Sequence, residues 1–315
     1  MNRFVGAQQT TIGCDIVLTG TGVHTGAPVS ITLSPADADT GVVFVLRKGG
    51  GIVEIPASFE AISGVTLCTV LSDGNGASVA TVEHLLAALR GLNIDNVTVE
   101  IDSGEVPIMD GSAQAFVDAI DEAGIAELAA PRRFIKVLKP VRVEEGQCFG
   151  EIRPHNGFHV DVEIEFDTDV IGKQRFRGEV SPGVFRDQLC RARTFGFMKD
   201  VEGLWAAGLA LGASLDNTVA IGDNRVINPE GLRFADEFVR HKALDAVGDL
   251  ALAGRPILGA YRSRRGGHRL NALMLKALFA DSEAWTMVDA PRARESIRAE
   301  ASMSLAVANY AADRS

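Results

Sequence analysis

The chain has 315 residues, of which 46% are hydrophobic and 23% are charged, and its formal net charge is −10 at pH 7. This composition is typical of a folded globular protein with one or two domains, and it excludes long disordered, collagen-like and coiled-coil chains. The acidic balance also argues against broad electrostatic binding to nucleic acid or to an anionic membrane.

Short apolar segments separated by Gly, Asp and Pro clusters open the chain, and they predict β-strands. They cover residues 29–33, 42–46 and 52–56. Residues 78–92 carry apolar side chains at helical spacing, and residues 112–123 predict a second helix that ends before Gly124. Between these helices, residues 96–101 alternate between apolar and polar side chains and predict a strand.

Residues 129–133, with the sequence Ala-Ala-Pro-Arg-Arg, are the best candidate for a linker. They divide the chain into a predicted N-terminal α+β domain, 1–130, and a C-terminal α+β domain, 131–315. The predicted elements beyond the linker are strands at 134–143, 149–153, 158–166 and 256–261 and helices at 236–253, 271–280 and 293–311.

The two halves of the chain resemble each other. Residues 82–84 (Val-Glu-His) match residues 239–241 (Val-Arg-His) at an offset of 157 residues, and the same offset brings Gly91 onto Gly248. Both halves also contain strands, a helix, a strand, a loop and a helix, in that order. A duplicated α+β unit is the simplest explanation of this pattern.

The four cysteines include no C-x-x-C pair, which predicts reduced thiols rather than disulfides or a thiolate metal site. Residues 1–14 contain no apolar signal core, and the most apolar run, 204–213, is too short to span a bilayer. We therefore expect a soluble cytoplasmic protein that has no transmembrane segment. We also expect that it is a monomer and, from its acidic charge, that it binds no nucleic acid.

One predicted helix carries an unusual polar stripe, because His241, Asp245 and Asp249 are spaced four residues apart. The other faces of this helix are largely apolar. An imidazole and a carboxylate one turn apart project to one point, which suits a divalent metal such as zinc. A solvated helix face explains the same pattern, and this helix alone leaves both interpretations open.

The helix at 78–92 carries the complementary residues. His84 shares its stripe with small side chains, so another backbone or a ligand could approach closely, and Glu83 is a candidate general base for a water molecule. Together with His241 and Asp245, His84 would give two imidazoles and one carboxylate. That set leaves one coordination position open, which is typical of catalytic zinc sites. His84 alone is equally compatible with a structural histidine.

Two further residues have open interpretations. Lys242 could bind phosphate or stabilise an oxyanion near the metal, or it could form a helical salt bridge with Asp245. His268 follows a Gly/Arg loop just before a predicted helix, where an anion site and a flexible basic loop are both plausible.

Seven short segments lie in a specific order and spacing over nearly the whole chain. They are GVHTG at 22–26, TVEHL at 81–85, PIMDGS at 107–112, RTFGF at 193–197, SLDN at 214–217, HKALD at 241–245 and GHRLN at 267–271. Together they resemble the zinc-dependent UDP-3-O-acyl-N-acetylglucosamine deacetylases of lipid A biosynthesis. The chain departs from the family at Val23, Ala115 and Ala272, none of which is an implied metal ligand.

The resemblance implies a fold of two similar β-sheet-plus-helices domains packed as a β-α-α-β sandwich. The implied site residues are the Zn2+ ligands His84, His241 and Asp245, the general base Glu83, the acid or charge stabiliser His268, its orienting partner Asp249, the oxyanion stabiliser Thr194 and the substrate contact Lys242. An insert at 195–223 would form an apolar passage for an acyl chain. The implied substrate-binding residues are His24, Phe195, Phe197, Val201, Leu204, Leu209 and Leu211.

The resemblance implies an amidohydrolase that removes the N-acetyl group of UDP-3-O-acyl-N-acetylglucosamine and releases acetate, an early committed step of lipid A biosynthesis. The sequence leaves three alternatives: a nucleotide-sugar binding protein without a metal, a zinc amidohydrolase for another acylated sugar, and an interaction scaffold. A base beside His84 argues against the first, and the His/Asp stripe argues against the last.

Overall fold

The structure is a computed structural model, and it describes residues 6–48 and 51–290. The strands of the first half are β1 (Gln8–Ile12), β2 (Ile16–Thr21), β3 (Pro28–Pro35), β4 (Val42–Lys48), β5 (Gly51–Pro56), β6 (Ile62–Gly64), β7 (Val70–Ser72), β8 (Ser78–Val79), β9 (Val97–Ile101) and β10 (Ile125–Pro131). Those of the second half are β11 (Arg133–Val137), β12 (Val141–Glu145), β13 (Cys148–Pro154), β14 (Phe158–Glu165), β15 (Lys173–Glu179), β16 (Phe195–Phe197), β17 (Val219–Gly222), β18 (Arg225–Val226), β19 (Ile257–Arg264) and β20 (Trp285–Asp289).

The described residues also form six α-helices. They are α1 (Glu83–Gly91), α2 (Gln114–Ala123), α3 (Pro182–Val184), α4 (Val201–Ala206), α5 (Glu237–Ala251) and α6 (His268–Ala280). Short 3-10 helices lie at Phe59–Ala61 and Met198–Asp200, and a π-helical turn lies at Phe185–Leu189. The helix predicted at 293–311 lies outside the described residues.

The two large sheets share a five-stranded core, and the second sheet also contains β11 and β20. In the first sheet, the hairpins β2–β3 and β4–β5 come first, and β9 then inserts between them, antiparallel to β3 and parallel to β4. In the second sheet, the hairpins β12–β13 and β14–β15 come first, and β19 inserts antiparallel to β13 and parallel to β14. The predicted α+β class and its duplicated unit are confirmed.

The helices α1, α2, α5 and α6 lie between the two sheets. In each half one of these helices precedes the inserted strand and one follows it: α1 and α2 in the first half, α5 and α6 in the second. Helix α1 packs against α5, and α6 packs on β12 and β13. The buried apolar side chains of both halves form one continuous cluster. The layers are therefore sheet, helices, sheet, as the resemblance implied.

The helix predicted at 78–92 begins later than expected, at Glu83. Residues 78–79 form the strand β8, and Thr81 has a φ of 57°, a left-handed conformation that interrupts a helical run. Helix α2 begins at Gln114, whose backbone N–H donates to Ser112 Oγ (3.1 Å), and Gly124 ends it with a φ of 74°.

The predicted linker at 129–133 contains the end of β10, a single connecting residue and the start of β11. Strand β10 pairs with β1, and the connecting residue, Arg132, is buried and forms an ion pair with Asp95 (2.9 Å). The segment is thus structured on both sides. The division into domains 1–130 and 131–315 stays a prediction.

Each half carries an insert before the helix that precedes its inserted strand, which is α1 in the first half and α5 in the second. In the first half the small sheet β6–β7–β8 lies between β5 and α1. In the second half residues 182–226 lie between β15 and α5 and include the predicted insert at 195–223, with α4 and the sheet β16–β17–β18. None of the helices within residues 6–48 and 51–290 combines the length and the apolar character that a membrane-spanning helix requires.

Candidate metal centre and active site

The contact between α1 and α5 brings three ligand-type side chains together. His84 is the second residue of α1, and His241 and Asp245 lie one turn apart on α5. The Oδ1 atom of Asp245 is 3.6 Å from His84 Nε2 and 3.3 Å from His241 Nε2. The two imidazole rings are nearly perpendicular, with centroids 5.0 Å apart. The structure thus brings together the three predicted ligands, which come from opposite halves of the chain.

These residues fit a metal ion. All three are buried, yet Asp245 Oδ1, which faces both imidazoles, has no hydrogen-bond partner among the described residues. A buried carboxylate oxygen without a donor is costly unless a cation lies beside it. The two nitrogen–oxygen distances also match the separation of about 3.3 Å between ligands of a tetrahedral ion with bonds of about 2.0–2.1 Å.

His241 is held in the tautomer that a metal ligand needs. Its Nδ1–H donates to the carbonyl oxygen of Ala192 (3.0 Å), which leaves Nε2 free to face Asp245. Burial, only partly offset by the Asp245 charge, lowers the pKa of His241 to about 3. The imidazole is therefore neutral at physiological pH.

Glu83 and His268 lie at the edge of this group, and each is the first residue of its helix. The backbone N–H of Thr69 donates to Glu83 Oε2 (3.1 Å), and Glu83 Oε1 is 3.8 Å from His268 Nε2. Burial raises the pKa of Glu83, although the neighbouring histidines oppose this shift. A carboxylate with a raised pKa beside a metal centre is suited to accept a proton.

Asp249 orients His268 within a buried network. Asp249 Oδ2 accepts hydrogen bonds from His268 Nδ1–H (2.9 Å) and from the side-chain amide of Asn271 (2.8 Å). Its other oxygen, Oδ1, accepts a bond from the Thr69 hydroxyl (2.6 Å). Tyr261 completes the network, because its hydroxyl donates to Asn271 Oδ1 (2.6 Å). Burial lowers the pKa of His268, but the charges of Asp249 and Glu83 outweigh it and raise the pKa to about 9.

Lys242 contacts one of the candidate ligands, and Thr194 lines the same cavity as they do. Lys242 Nζ donates to Asp245 Oδ2 (2.8 Å), so the salt bridge considered from the sequence forms, and the lysine also lines the cavity described below. Burial lowers its pKa, but Asp245 more than compensates, and the ammonium stays charged. Thr194 is fixed by a backbone bond to Gly111 O (2.8 Å) and also lines the cavity.

A cavity of about 400 Å³ extends from the three candidate ligands into the insert. The predicted substrate-binding residues His24, Phe195, Phe197, Val201 and Leu204 line it. Leu209 and Leu211 are not among its lining residues. Further apolar lining comes from residues that were not predicted individually to bind substrate: Leu67, Ile108, Met198, Trp205, Leu215 and Ile227. One end of the cavity is polar and the other is apolar.

The loop that carries His24 is held by a buried carboxylate. Glu105 accepts bonds from the backbone N–H groups of His24 (2.8 Å) and Thr25 (2.9 Å) and from the hydroxyl of Thr81 (3.0 Å). The insert joins this loop through Leu211 N–H, which donates to His24 O (3.1 Å). Glu105 was missed because it lies outside every motif, at a position that no helical or strand pattern marks.

A second group of ligand-type residues, His155, His159 and Glu179, lies at the β14–β15 hairpin. Unlike the first group, it is partly exposed. Glu179 Oε2 is 3.0 Å from His155 Nε2, and the Arg177 guanidinium donates to His159 Nε2 (3.3 Å). Cross-strand ion pairs in a partly exposed setting account for this arrangement, and no buried atom there lacks a partner.

The fold and the site together define a class: a duplicated α+β protein with a buried His–His–Asp group, an adjacent Glu/His pair and an apolar cavity. Comparison with known proteins identifies the family. The profile of the family described as LpxC, UDP-3-O-acyl N-acetylglycosamine deacetylase, matches residues 9–280, and the chain belongs to this family.

Curated relatives support the same assignment over almost their whole length. Proteins named UDP-3-O-acyl-N-acetylglucosamine deacetylase from Brucella ovis, Brucella canis and Brucella suis are each 53% identical to this chain over 285 residues. Each alignment covers 90% of this chain and 99% of the relative. The resemblance seen in the seven segments is therefore confirmed.

Proposed function

We propose that this chain is a zinc-dependent amidohydrolase that removes the N-acetyl group of UDP-3-O-acyl-N-acetylglucosamine and releases acetate, as part of lipid A biosynthesis. The observation that carries the proposal is the buried Asp245 Oδ1, which faces two imidazoles and has no hydrogen-bond partner among the described residues. It lies beside Glu83, at the polar end of an apolar cavity. Family membership supports the choice of substrate, because the names of the family and of the curated relatives include this UDP-sugar.

Zn2+ is the proposed cofactor, with His84, His241 and Asp245 as its ligands. Two imidazole nitrogens and one carboxylate oxygen are a ligand set that zinc accepts, and three protein ligands leave one position open for reaction. When bound, the ion supplies Lewis-acid chemistry and lowers the pKa of a water ligand to about 7.

The chain's own residues then move protons and stabilise charge. Glu83, held by the Thr69 N–H, accepts the proton of the attacking water at its carboxylate. His268 is protonated at neutral pH and oriented by Asp249, so it donates to the leaving amine or stabilises the developing charge. Thr194 contributes to oxyanion stabilisation, and the Lys242 ammonium contacts the substrate near the same group.

The apolar part of the cavity suits the acyl chain of the substrate. Phe195 and Phe197 lie at its start, where the Phe195 ring also packs against His241 (centroids 6.3 Å apart). His24 also lines the cavity, on the loop held by Glu105. Binding energy from the remote acyl chain can thus position the acetamide at the polar end.

Three further expectations stay proposals. We propose that the protein acts in the cytoplasm, that it is a monomer, and that its two repeated units are domains with a boundary at residues 130 and 131. The repeated topology of the two large sheets supports the last of these.

The decisive experiment measures acetate release together with metal content. Purified protein is assayed with the UDP-sugar carrying a long acyl chain and with a short-chain analogue, before and after chelation of the metal. We expect about one zinc per chain, loss of activity on chelation, its return with zinc, and a strong preference for the long chain. A metal-free protein that binds the UDP-sugar would instead support the nucleotide-sugar binding alternative, and equal rates on both chains would support an amidohydrolase for another substrate.

A further inference from the structure

The polar stripe of α5 extends one turn beyond His241, to Glu237. Glu237 is the first residue of α5, and its side chain is completely buried, at 0% exposure. It does not line the cavity and is not among the three candidate ligands. A fully buried carboxylate is tolerated only when strong donors surround it, so the source of those donors indicates what it holds in place.

Most of those donors come from one residue, Arg193. Glu237 Oε1 accepts from the Arg193 backbone N–H (3.0 Å) and from its Nε (2.9 Å), and Oε2 accepts from Nη2 (3.2 Å). The Arg193 side chain is itself buried. Glu237 therefore fixes both the main chain and the side chain of position 193 with charge-assisted hydrogen bonds.

Both neighbours of Arg193 reach the candidate active site. The carbonyl oxygen of Ala192 accepts the Nδ1–H of His241, and Thr194 lines the cavity. We infer that Glu237 and Arg193 are positioning residues, whose ion pair holds residues 192–194 so that Ala192 orients the His241 imidazole and Thr194 faces the reaction site. This inference rests on the proposed metal centre.

A merely structural ion pair makes a different prediction. If the Glu237–Arg193 pair only stabilised the fold, its loss would lower the free energy of unfolding and leave the metal site of the folded protein unchanged. Groups that orient a metal-binding histidine instead change metal affinity about 10–100-fold when they are altered. Metal affinity of the folded chain therefore separates the two roles.

The test is a titration of metal-free protein with cobalt(II), followed by the visible absorption of the bound ion. For folded Glu237→Gln we expect binding about 10–100-fold weaker than wild type and a changed absorption spectrum, because the His241 imidazole is no longer held in one orientation. Glu230→Gln is the matched control. Glu230 bonds to the same guanidinium through Nη1, but its side chain is 53% exposed and makes no bond to the backbone of residues 192–194. The cobalt affinity and the absorption spectrum of Glu230→Gln should equal those of wild type.

Wild-type affinity and an unchanged spectrum in folded Glu237→Gln would overturn the inference, even if the variant is less stable. If Glu237→Gln does not fold, Arg193→Lys is measured by the same criteria, since it keeps the buried charge but loses the planar fork. A wild-type chain that binds no cobalt would overturn the metal centre itself and this inference with it. If wild type binds cobalt and folded Glu237→Gln, or Arg193→Lys in its place, binds it equally well, only this inference is overturned.

Discussion

Glu83 shows how the proposed chemistry depends on single residues. It is the first residue of α1, its side chain is almost fully buried, and one carboxylate oxygen is held by the Thr69 N–H. The other oxygen faces His268. Because burial raises its pKa, Glu83 is better suited than an exposed glutamate to accept a proton near neutral pH.

The variant Glu83→Gln tests this role. Its amide oxygen can still accept from the Thr69 N–H but cannot take up a proton, so we expect kcat to fall by about 10²–10⁴-fold. Metal content should stay at the wild-type level, because Glu83 is not one of the three candidate ligands. The exposed Glu179→Gln serves as the control and should leave kcat unchanged. Loss of the metal in Glu83→Gln, or a kcat within tenfold of wild type, would contradict the assignment.

Cys68 offers a test of the electrostatics beside Glu83. Burial, and then the charge of Glu83, raise the pKa of its thiol to about 12. At pH 8 only about one such thiol in 10⁴ is ionised, so a thiolate-specific reagent should not modify Cys68 in the native protein. The exposed Cys14 should react readily and serves as the internal reference. Peptide mapping of the labelled protein measures both; rapid labelling of Cys68 at pH 8 would be inconsistent with its buried, acidic surroundings.

Some site residues could be predicted from the sequence and others could not. His241, Asp245 and Asp249 share a helical stripe, so periodicity alone brings them together. Thr69 bonds to Asp249 across 180 residues of sequence, and no local pattern specifies such a contact. The positions of Thr69 and Glu105 follow only from the packing of the complete fold.

At the scale of elements, the close approach of α1 and α5 determines whether the candidate ligands meet. A Cβ atom on Gly248 would lie 2.0 Å from the carbonyl oxygen of Glu83, which is far inside van der Waals contact. The two helix backbones therefore touch at this glycine. The small side chains of α1 had indicated that another backbone or a ligand could approach it closely. The start of α1 at Glu83 was not predicted, because the left-handed φ of Thr81 interrupts the helical pattern.

Gly248→Ala should separate these helices. The added methyl group meets backbone rather than a flexible side chain, so we expect a loss of stability of at least about 1–3 kcal/mol in urea denaturation. Metal affinity of the folded fraction should also fall, because His84 and Asp245 lie on opposite sides of this contact. Gly203→Ala in α4 is the control: nothing lies within 4 Å of its added Cβ, and stability should not fall. Wild-type stability in Gly248→Ala would mean that the helices do not approach as described.

At the scale of the whole molecule, the internal match in the sequence predicted the duplication, and the two large sheets repeat the same pair of hairpins with one strand inserted between them. The pairing of β1 with β10 was not predictable, because β1 is short and mostly polar although mostly buried, and its partners lie more than 100 residues away in the sequence. The sequence predicted the position of the insert but not its helices and strands, because such short elements depend on tertiary contacts.

The continuous core predicts that both halves unfold together. Buried apolar side chains from β1 to α6 form one cluster, so neither half retains its core when the other unfolds. Both tryptophans, Trp205 and Trp285, lie in the second half, whereas far-ultraviolet circular dichroism reports on both halves. In urea we expect the fluorescence and dichroism curves to coincide. A two-step dichroism curve with fluorescence following only one step would show independent halves.

The central claim is that residues from both halves hold one metal ion. Anomalous diffraction from crystals of the protein, measured on both sides of the zinc absorption edge, tests it most directly. We expect one strong peak about 2.0–2.1 Å from His84 Nε2, His241 Nε2 and an oxygen of Asp245. Crystals of active enzyme with no peak between these three side chains would contradict the account.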